Sequence, residues 1–294
     1  GIPTKTRNHA SIHVKYQSEN EFAFLFDCGE GTQRQMFTAG INFMRINDVF
    51  ISQWHADHFA GLLGLMETMN LERRLKTLHI YGPEAERFVD TLLRMGYGTK
   101  KFRVIPMTVE HEGTETSVVL DHEEISVQSI PMKHGIPAVA YAFVEKDRIR
   151  IDKGKIDALG LPKQGRLYMD AKVKGYLSHK GKTIPLEDIS FVEQGRKIVY
   201  SGDTLPNNNM VTLAKNADVL IHDSTFFEDE FSEEEGYRHA NFDAVLKLAK
   251  EAGVKQLILT HISRRYADLS ELKDKIKNND NVQIAKDFMR ITLA

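Results

Sequence analysis

A short alternating run from Ile12 to Lys15 and an apolar run from Phe22 to Phe26 flank the polar turn Gln17 to Asn20, a pattern that predicts a β-hairpin. The glycines of Asp27-Cys28-Gly29-Glu30-Gly31-Thr32 then predict a tight loop. Asp48 to Ile51 reads as a short buried strand that delivers the chain to Trp54-His55-Ala56-Asp57-His58, and the apolar spacing from Phe59 to Leu75 is helical. Pro83 suits the first position of a helix running to about Met95. Further strands are expected near 78–81, 102–109, 124–130 and 138–144. Beyond them, 146–190 has Gly and Pro punctuation and little helical periodicity, so it reads as a projecting arm inserted into one domain spanning 1–294. The rhythm resumes with strands at Lys197 to Tyr200, Asp218 to Ile221 and Gln256 to Thr260, and helices from about Asn241 to Ala252 and near Leu269 to Lys277.

This alternation predicts an α/β fold, and it puts each cluster of polar residues just after a strand, where such folds build sites. Lys133-His134-Gly135, Gly202-Asp203-Thr204 and Thr260-His261 all follow strands, as does the dense His55, Asp57, His58 group. Imidazole and carboxylate side chains are the usual ligands of catalytic zinc. Taken alone, the His55, Asp57, His58 group reads as well as hydrogen-bonded loop histidines as it does as metal ligands, but the joint placement of all these clusters makes a metal site the expectation.

Composition narrows the class. The 41% apolar and 27% charged residues fit a globular protein with a sizeable core. No apolar run approaches the roughly 20 residues of a bilayer span, so a cytoplasmic location is expected. Cys28 is the only cysteine, which rules out an internal disulfide and a Cys-based zinc cluster. The net charge of −2 hides an asymmetry: 146–183 holds eleven Lys and Arg against four Asp, a local +7, leaving −9 elsewhere. A polyanion would be drawn to this segment.

Several stretches resemble the ribonuclease Z family of the metallo-β-lactamase superfamily, and the likeness runs from about Pro3 to the end of the chain. They are Pro3 to Asn8, Phe26 to Gln35, Trp54 to His58 with Gly61-Leu62, Lys133-His134-Gly135, Tyr200 to Thr204, and Leu259 to Ser263. The Asp-Cys-Gly-Glu-Gly-Thr-Gln loop is the most family-specific of these. The resemblance implies an αβ/βα sandwich, with two mixed sheets between outer helices, and a strand and small-residue loop ahead of Pro3. It further implies a zinc-dependent endoribonuclease that removes the 3′ trailer of precursor tRNA and leaves a 3′-hydroxyl, acting as a homodimer. One metal would fall to His55 and His134, the other to Asp57, His58 and His261, with Asp203 bridging. Such a pair can clamp a phosphodiester and acidify a water. Asp57 would also accept the water proton and His239 would protonate the leaving oxygen, while His222-Asp223 suits a supporting or structural role as well as a catalytic one.

Two departures matter. The family has histidine where this chain has Gln53, and an amide oxygen binds a borderline-soft metal more weakly than imidazole. The Zn2+ site near Gln53 is therefore expected to be the weaker, the Asp57, His58, His261 site to fill first, and Mn2+ or another divalent metal to be an alternative. The family arm, which grips the tRNA body, often carries a Gly-Pro pair; here Lys163 and Arg166 stand in that stretch as candidate substrate-binding residues, Arg166 where the proline would be. The competing readings are a hydrolase of small phosphodiesters and an RNA-binding protein of this fold with impaired catalysis.

Overall fold

The computed structural model describes residues 1–95, 100–227, 239–266 and 268–293. The hairpin forms as the pattern predicts: β1 (Ile12–Gln17) pairs antiparallel with β2 (Glu21–Phe26), Ile12 opposite Phe26 and Gln17 opposite Glu21. After α1 (Thr32–Ala39), β3 (Asp48–Phe50) runs parallel to β2. The chain then passes through α2 (Ala56–Phe59) and α3 (Gly61–Leu71) to β4 (Leu78–Gly82), α4 (Ala85–Met95) and β5 (Val104–Thr108), completing a five-stranded sheet in sequence order. The continuous apolar run of β2 follows from burial on both faces. Leu25, Val49, Ile51 and Ile80 share a core with Met36, Leu62, Leu65, Met66, Val89 and Leu92 of the helices. Phe24, Phe26 and Phe50 turn the other way. The helix expected to reach Leu75 stops at Leu71 because Arg73 adopts a left-handed φ of 58°. That turn lets the buried Arg74 guanidinium donate to the carbonyls of Met44, Lys76 and Thr77 and to Asn47 Oδ1.

Strands β6 (Ser117–Asp121), β7 (Ile125–Pro131) and β8 (Val139–Glu145) come next. The chain folds as two compact units, one of 1–122, 126–143 and 197–294, the other of 123–125 and 144–196. The smaller unit corrects the expectation that 146–190 lacks helices and a core. It contains β9 (Arg148–Ile151), α5 (Lys153–Ala158), α6 (Gly165–Lys174), the hairpin β10 (Tyr176–His179) with β11 (Lys182–Pro185), and β12 (Ser190–Glu193), which pairs antiparallel with β9. Asp152 caps α5 through Gly154 and Lys155, and Gly175 ends α6 at φ 79°. Ile156, Leu161, Tyr168, Ala171, Leu177, Leu186 and Ile189 form its own core. Each element gives only one or two residues to that core, too few to leave a periodicity in the sequence.

The larger unit is completed by β13 (Lys197–Tyr200), α7 (Asn208–Ala214), β14 (Val219–Asp223), α8 (Phe242–Glu251), β15 (Gln256–Thr260), α9 (Ser270–Ile276) and β16 (Val282–Ile284). Its second sheet has the order β16-β15-β14-β13-β8-β7-β6, with β13 to β16 parallel. The sheets pack face to face through aromatic rings. Phe24 lies 5.8 Å from Phe143, Phe26 5.9 Å from Tyr141 and Phe50 5.3 Å from Tyr141. At one end they are also joined through the backbone, since Gln53 bridges to Ala138 and Val139 N–H donates to the Ser52 carbonyl at 2.9 Å. Among the described residues, no helix is long and apolar enough to cross a membrane.

Cys28 sits wholly inside the first core, and burial pushes its thiol up to about 12. Alkylation by iodoacetamide at pH 8 is therefore expected to leave the native protein unmodified and to add one label per chain in denaturant. Rapid labelling of the native protein would contradict this packing.

Candidate metal centre

The site collects at the carboxyl ends of strands. Asp27 follows β2, His55 to His58 follow β3, His134 follows β7, Asp203 follows β13, Asp223 ends β14 and His261 follows β15. The loop after β2 is glycine-rich because it is pressed against the His55 to His58 segment. Cys28 N–H donates to the His58 carbonyl at 2.7 Å and Gly61 N–H to the Cys28 carbonyl at 2.9 Å. A Cβ on Gly29 would lie 2.3 Å from the Asp57 carbonyl oxygen and 2.4 Å from His9 Cβ, and one on Gly61 would lie 2.2 Å from the Gly29 carbonyl. Only glycine allows this approach.

Asp27 is fully buried with a left-handed φ of 56°. Its Oδ1 accepts Ser52 N–H at 2.7 Å, while Oδ2 takes the Ser52 hydroxyl at 2.8 Å, the Tyr200 hydroxyl at 2.6 Å and His58 Nδ1 at 2.6 Å. The ring of His58 is thereby turned so that Nε2 faces Asp203 Oδ2 at 3.0 Å and Asp57 Oδ2 at 3.5 Å. Asp203 Oδ2 also accepts Gln53 Nε2 at 2.8 Å and lies 3.4 Å from His261 Nε2. Asp57, His58, Asp203 and His261 thus each offer a donor atom within 4.8 Å of all the others. A second group, Asp203, Asp223, His239 and His261, meets the same limit.

Charge in this cluster is out of balance without a cation. Burial disfavours protonation of His58, yet Asp203 and Asp27 outweigh it and push its pKa up to about 10. Burial likewise opposes the Asp203 charge, but His261 and His58 hold its carboxyl well below the usual range. Gln53 Oε1 is buried with no hydrogen-bond partner. Two imidazoles, two carboxylates and a spare amide oxygen suit a divalent metal, and the residues present fit one.

His55 and His134 stand apart from both donor groups as a pair of their own, with His134 Nε2 3.3 Å from His55 Nδ1. His134 is joined to the rest through the His239 ring, 5.3 Å away. His239 in turn stacks on His261 at 5.0 Å, and its Nδ1 is held by Asp223 Oδ2 at 2.8 Å. Burial opposes the charge of His239, whereas the Asp223 carboxylate more than restores it and raises the pKa. His222 is separate: buried, with Nδ1 on the Asp223 carbonyl at 2.7 Å, and touching none of the other site side chains through a hydrogen bond. In the smaller unit Lys163 is exposed and paired with Asp157 at 2.9 Å, and Arg166 is exposed on the first turn of α6.

Reading the sequence missed the position of Asp27 behind the His58 ring, the part of Asp223 in the second donor group, and the roles of Ser52 and Tyr200. Asp27 lay inside the family-specific loop, but an aspartate beside glycines reads as a turn. Asp223 stood visibly at a strand end.

The geometry defines a metal-dependent hydrolase of the metallo-β-lactamase fold. A family model described as "Beta-lactamase superfamily domain" matches 167–262, and one described as "Anti-Pycsar protein Apyc1" matches 5–152. The human tRNase Z, short form, superposes with a TM-score of 0.72 at 23% identity, covering all of this chain and 96% of that one. The chain is 37% identical to the ribonuclease Z of Methanosarcina acetivorans over 99% of its own length and 94% of the relative's. It is 35% identical to that of Bacillus velezensis over 100% of its own length and 96% of the relative's. It belongs to the ribonuclease Z family.

Gly29 and Gly31 provide a contrast. Gly29→Ala should push the Asp57 segment out of place and lower divalent-cation affinity at least about tenfold in calorimetric titration. Gly31 has φ 81° with nothing near its Cβ position, so Gly31→Ala should cost about 1–2 kcal/mol in urea unfolding and leave cation affinity unchanged.

Proposed function

We propose that this chain is an endoribonuclease that removes the 3′ trailer of precursor tRNA by hydrolysing one phosphodiester bond. The observation that carries the reading is the convergence of Asp57, His58, Asp203 and His261 donors at the strand ends, in a chain whose relatives are named ribonuclease Z over nearly their full length. His58, His261, Asp57 and Asp203 would hold one divalent cation, Zn2+ in the first instance. Asp203, with His55, His134 and Gln53 nearby, would hold a second. Bound there, the cations supply Lewis-acid polarisation of the phosphate and a water acidic enough to react near neutral pH.

The protein's own groups do the rest. Asp57, the partly exposed carboxylate of the cluster, accepts the proton of the attacking water, as a base must lie within hydrogen-bond reach of it. His239, whose Nδ1 is fixed by Asp223 and whose charge that carboxylate favours, donates a proton to the departing ribose oxygen. Asp27 keeps the His58 ring in one orientation throughout, the role of a carboxylate behind a ligating histidine. Lys163 and Arg166, in the basic unit, offer charge to the tRNA backbone. A small phosphodiester has no use for that charge, and an impaired binder would not need Asp57, His58, His134, Asp203 and His261 together.

The test compares a precursor tRNA carrying a 3′ trailer with bis(p-nitrophenyl) phosphate. Asp57→Ala should abolish turnover of both, whereas Lys163→Glu with Arg166→Glu should weaken only tRNA cleavage and flatten its salt dependence by about 0.7–0.9 for each phosphate no longer neutralised. Equal loss on both substrates from the double charge reversal would refute the tRNA-binding role of these residues, and retained cleavage in Asp57→Ala would refute the site.

Gln53 yields a separate expectation. Its Nε2 is engaged with Asp203, leaving a single oxygen for a metal. Elemental analysis after dialysis should find one tightly held zinc per chain, rising toward two in Gln53→His. Two tight equivalents in the wild-type protein would overturn this.

A further inference from the structure

The loops after β14 and β15 are stitched together by Ser224 N–H donating to the Thr260 carbonyl at 2.9 Å and Ser263 N–H to the Thr225 carbonyl at 3.2 Å. This sets the side chain of Thr225 between two site residues that it does not chemically resemble. Its Oγ1 lies 2.6 Å from Asp223 Oδ1 and 2.8 Å from His261 Nδ1, with the His261 carbonyl farther off at 3.1 Å. A threonine hydroxyl has one hydrogen to give and two lone pairs to receive. The carboxylate is both the nearer and the stronger acceptor, so the hydroxyl proton goes to Asp223. A lone pair of Oγ1 then faces His261 Nδ1, which must carry the hydrogen. With Nδ1 protonated, neutral His261 has a bare Nε2, and that nitrogen is the one 3.3 Å from Asp57 and 3.4 Å from Asp203.

We propose that Thr225 is a positioning residue that fixes the tautomer of His261, so that Nε2 is the free donor, and ties it to His239 through Asp223. The inference rests on the metal-centre reading given above. The chain runs from His261 Nδ1–H to Thr225, from the Thr225 hydroxyl to Asp223 Oδ1, and from His239 Nδ1–H to Asp223 Oδ2. Asp223 is held on its other flanks by Thr225 N–H at 3.0 Å and Thr204 N–H at 3.3 Å, so it does not swing to reach His261 directly, 3.7 Å away. His261 itself has a left-handed φ of 57°, a conformation that needs support from its surroundings. One hydroxyl thus serves both sides of the reaction: the nitrogen offered to the cation and the carboxylate behind the proton donor.

Three proteins decide the matter: wild type, Thr225→Val, which keeps the shape and loses the hydroxyl, and Thr225→Ser, which restores it. Long-range 1H–15N spectra of the metal-free proteins, assigned with His261→Gln, should find His261 in the Nδ1–H tautomer in wild type and Thr225→Ser but not uniformly so in Thr225→Val. Zn2+ affinity by chelator competition should fall about 10- to 100-fold in Thr225→Val and return in Thr225→Ser. A Thr225→Val protein with wild-type tautomer and wild-type affinity would overturn the inference. A Thr225→Val protein that fails to fold leaves the question to Thr225→Ser and the wild type, where an Nε2–H tautomer for His261 in wild type is equally fatal. If wild type binds no Zn2+ at all, the metal-centre reading fails instead.

Discussion

Everything at this site hangs from a carboxylate that has no access to water. Asp27 is buried at the end of a central strand, and an isolated charge there would cost several kcal/mol. It is tolerated because four donors from three parts of the chain converge on it: the Ser52 amide and hydroxyl, the Tyr200 hydroxyl and the His58 ring. Satisfying that charge draws β2, the loop after β3 and the end of β13 to a common point, and the first and second sheets meet there. The orientation of His58 is a by-product of the same requirement. Removing any one donor leaves the others facing a less satisfied charge, so the scaffold and the His58 nitrogen turned toward Asp203 are stabilised by one set of bonds.

Much of this was written in local pattern. The apolar runs of β2 and β3 are strands buried on both faces, and such runs stand out in any window. The candidate ligands were legible because each follows a strand, and because histidine and aspartate bunched at such points are chemically conspicuous. What was not legible depends on distant partners. The smaller unit reads as irregular because its core takes single residues such as Ile156, Tyr168 and Leu177 from short elements. α7 and β16 are short enough to carry little periodicity. Sheet order, which puts β13 beside β8 rather than beside β12, is set by long-range pairing that no window contains. Asp27 and Thr225 were opaque for a further reason: their importance lies in what they accept from residues over 30 positions away, and their own neighbours in sequence give no sign of it.

Among the described residues, two of the non-glycine positions with left-handed backbone fall at the site. Asp27 and His261 both take left-handed backbone conformations, and both lie in the set that orients or supplies the candidate metal donors. Elsewhere positive φ falls at turns, as at Arg73, where it frees Arg74 to bind carbonyls, or at glycines. The close approach of Gly29 to the Asp57 carbonyl belongs to the same economy of space, since it brings two loops together without a side chain between them.

The backbone seam at residue 53 has a consequence for how such a centre can diversify. Because the main chain of Gln53 is fastened to Ala138, and that of Ser52 to Val139, the position of this Cα is set by the joining of two sheets. Evolution can therefore exchange an imidazole for an amide at this point and meet an unchanged framework on the other side of the substitution. The donor presented at this point is thus separable from the framework that presents it, and a change of side chain there is a change of chemistry without a change of fold.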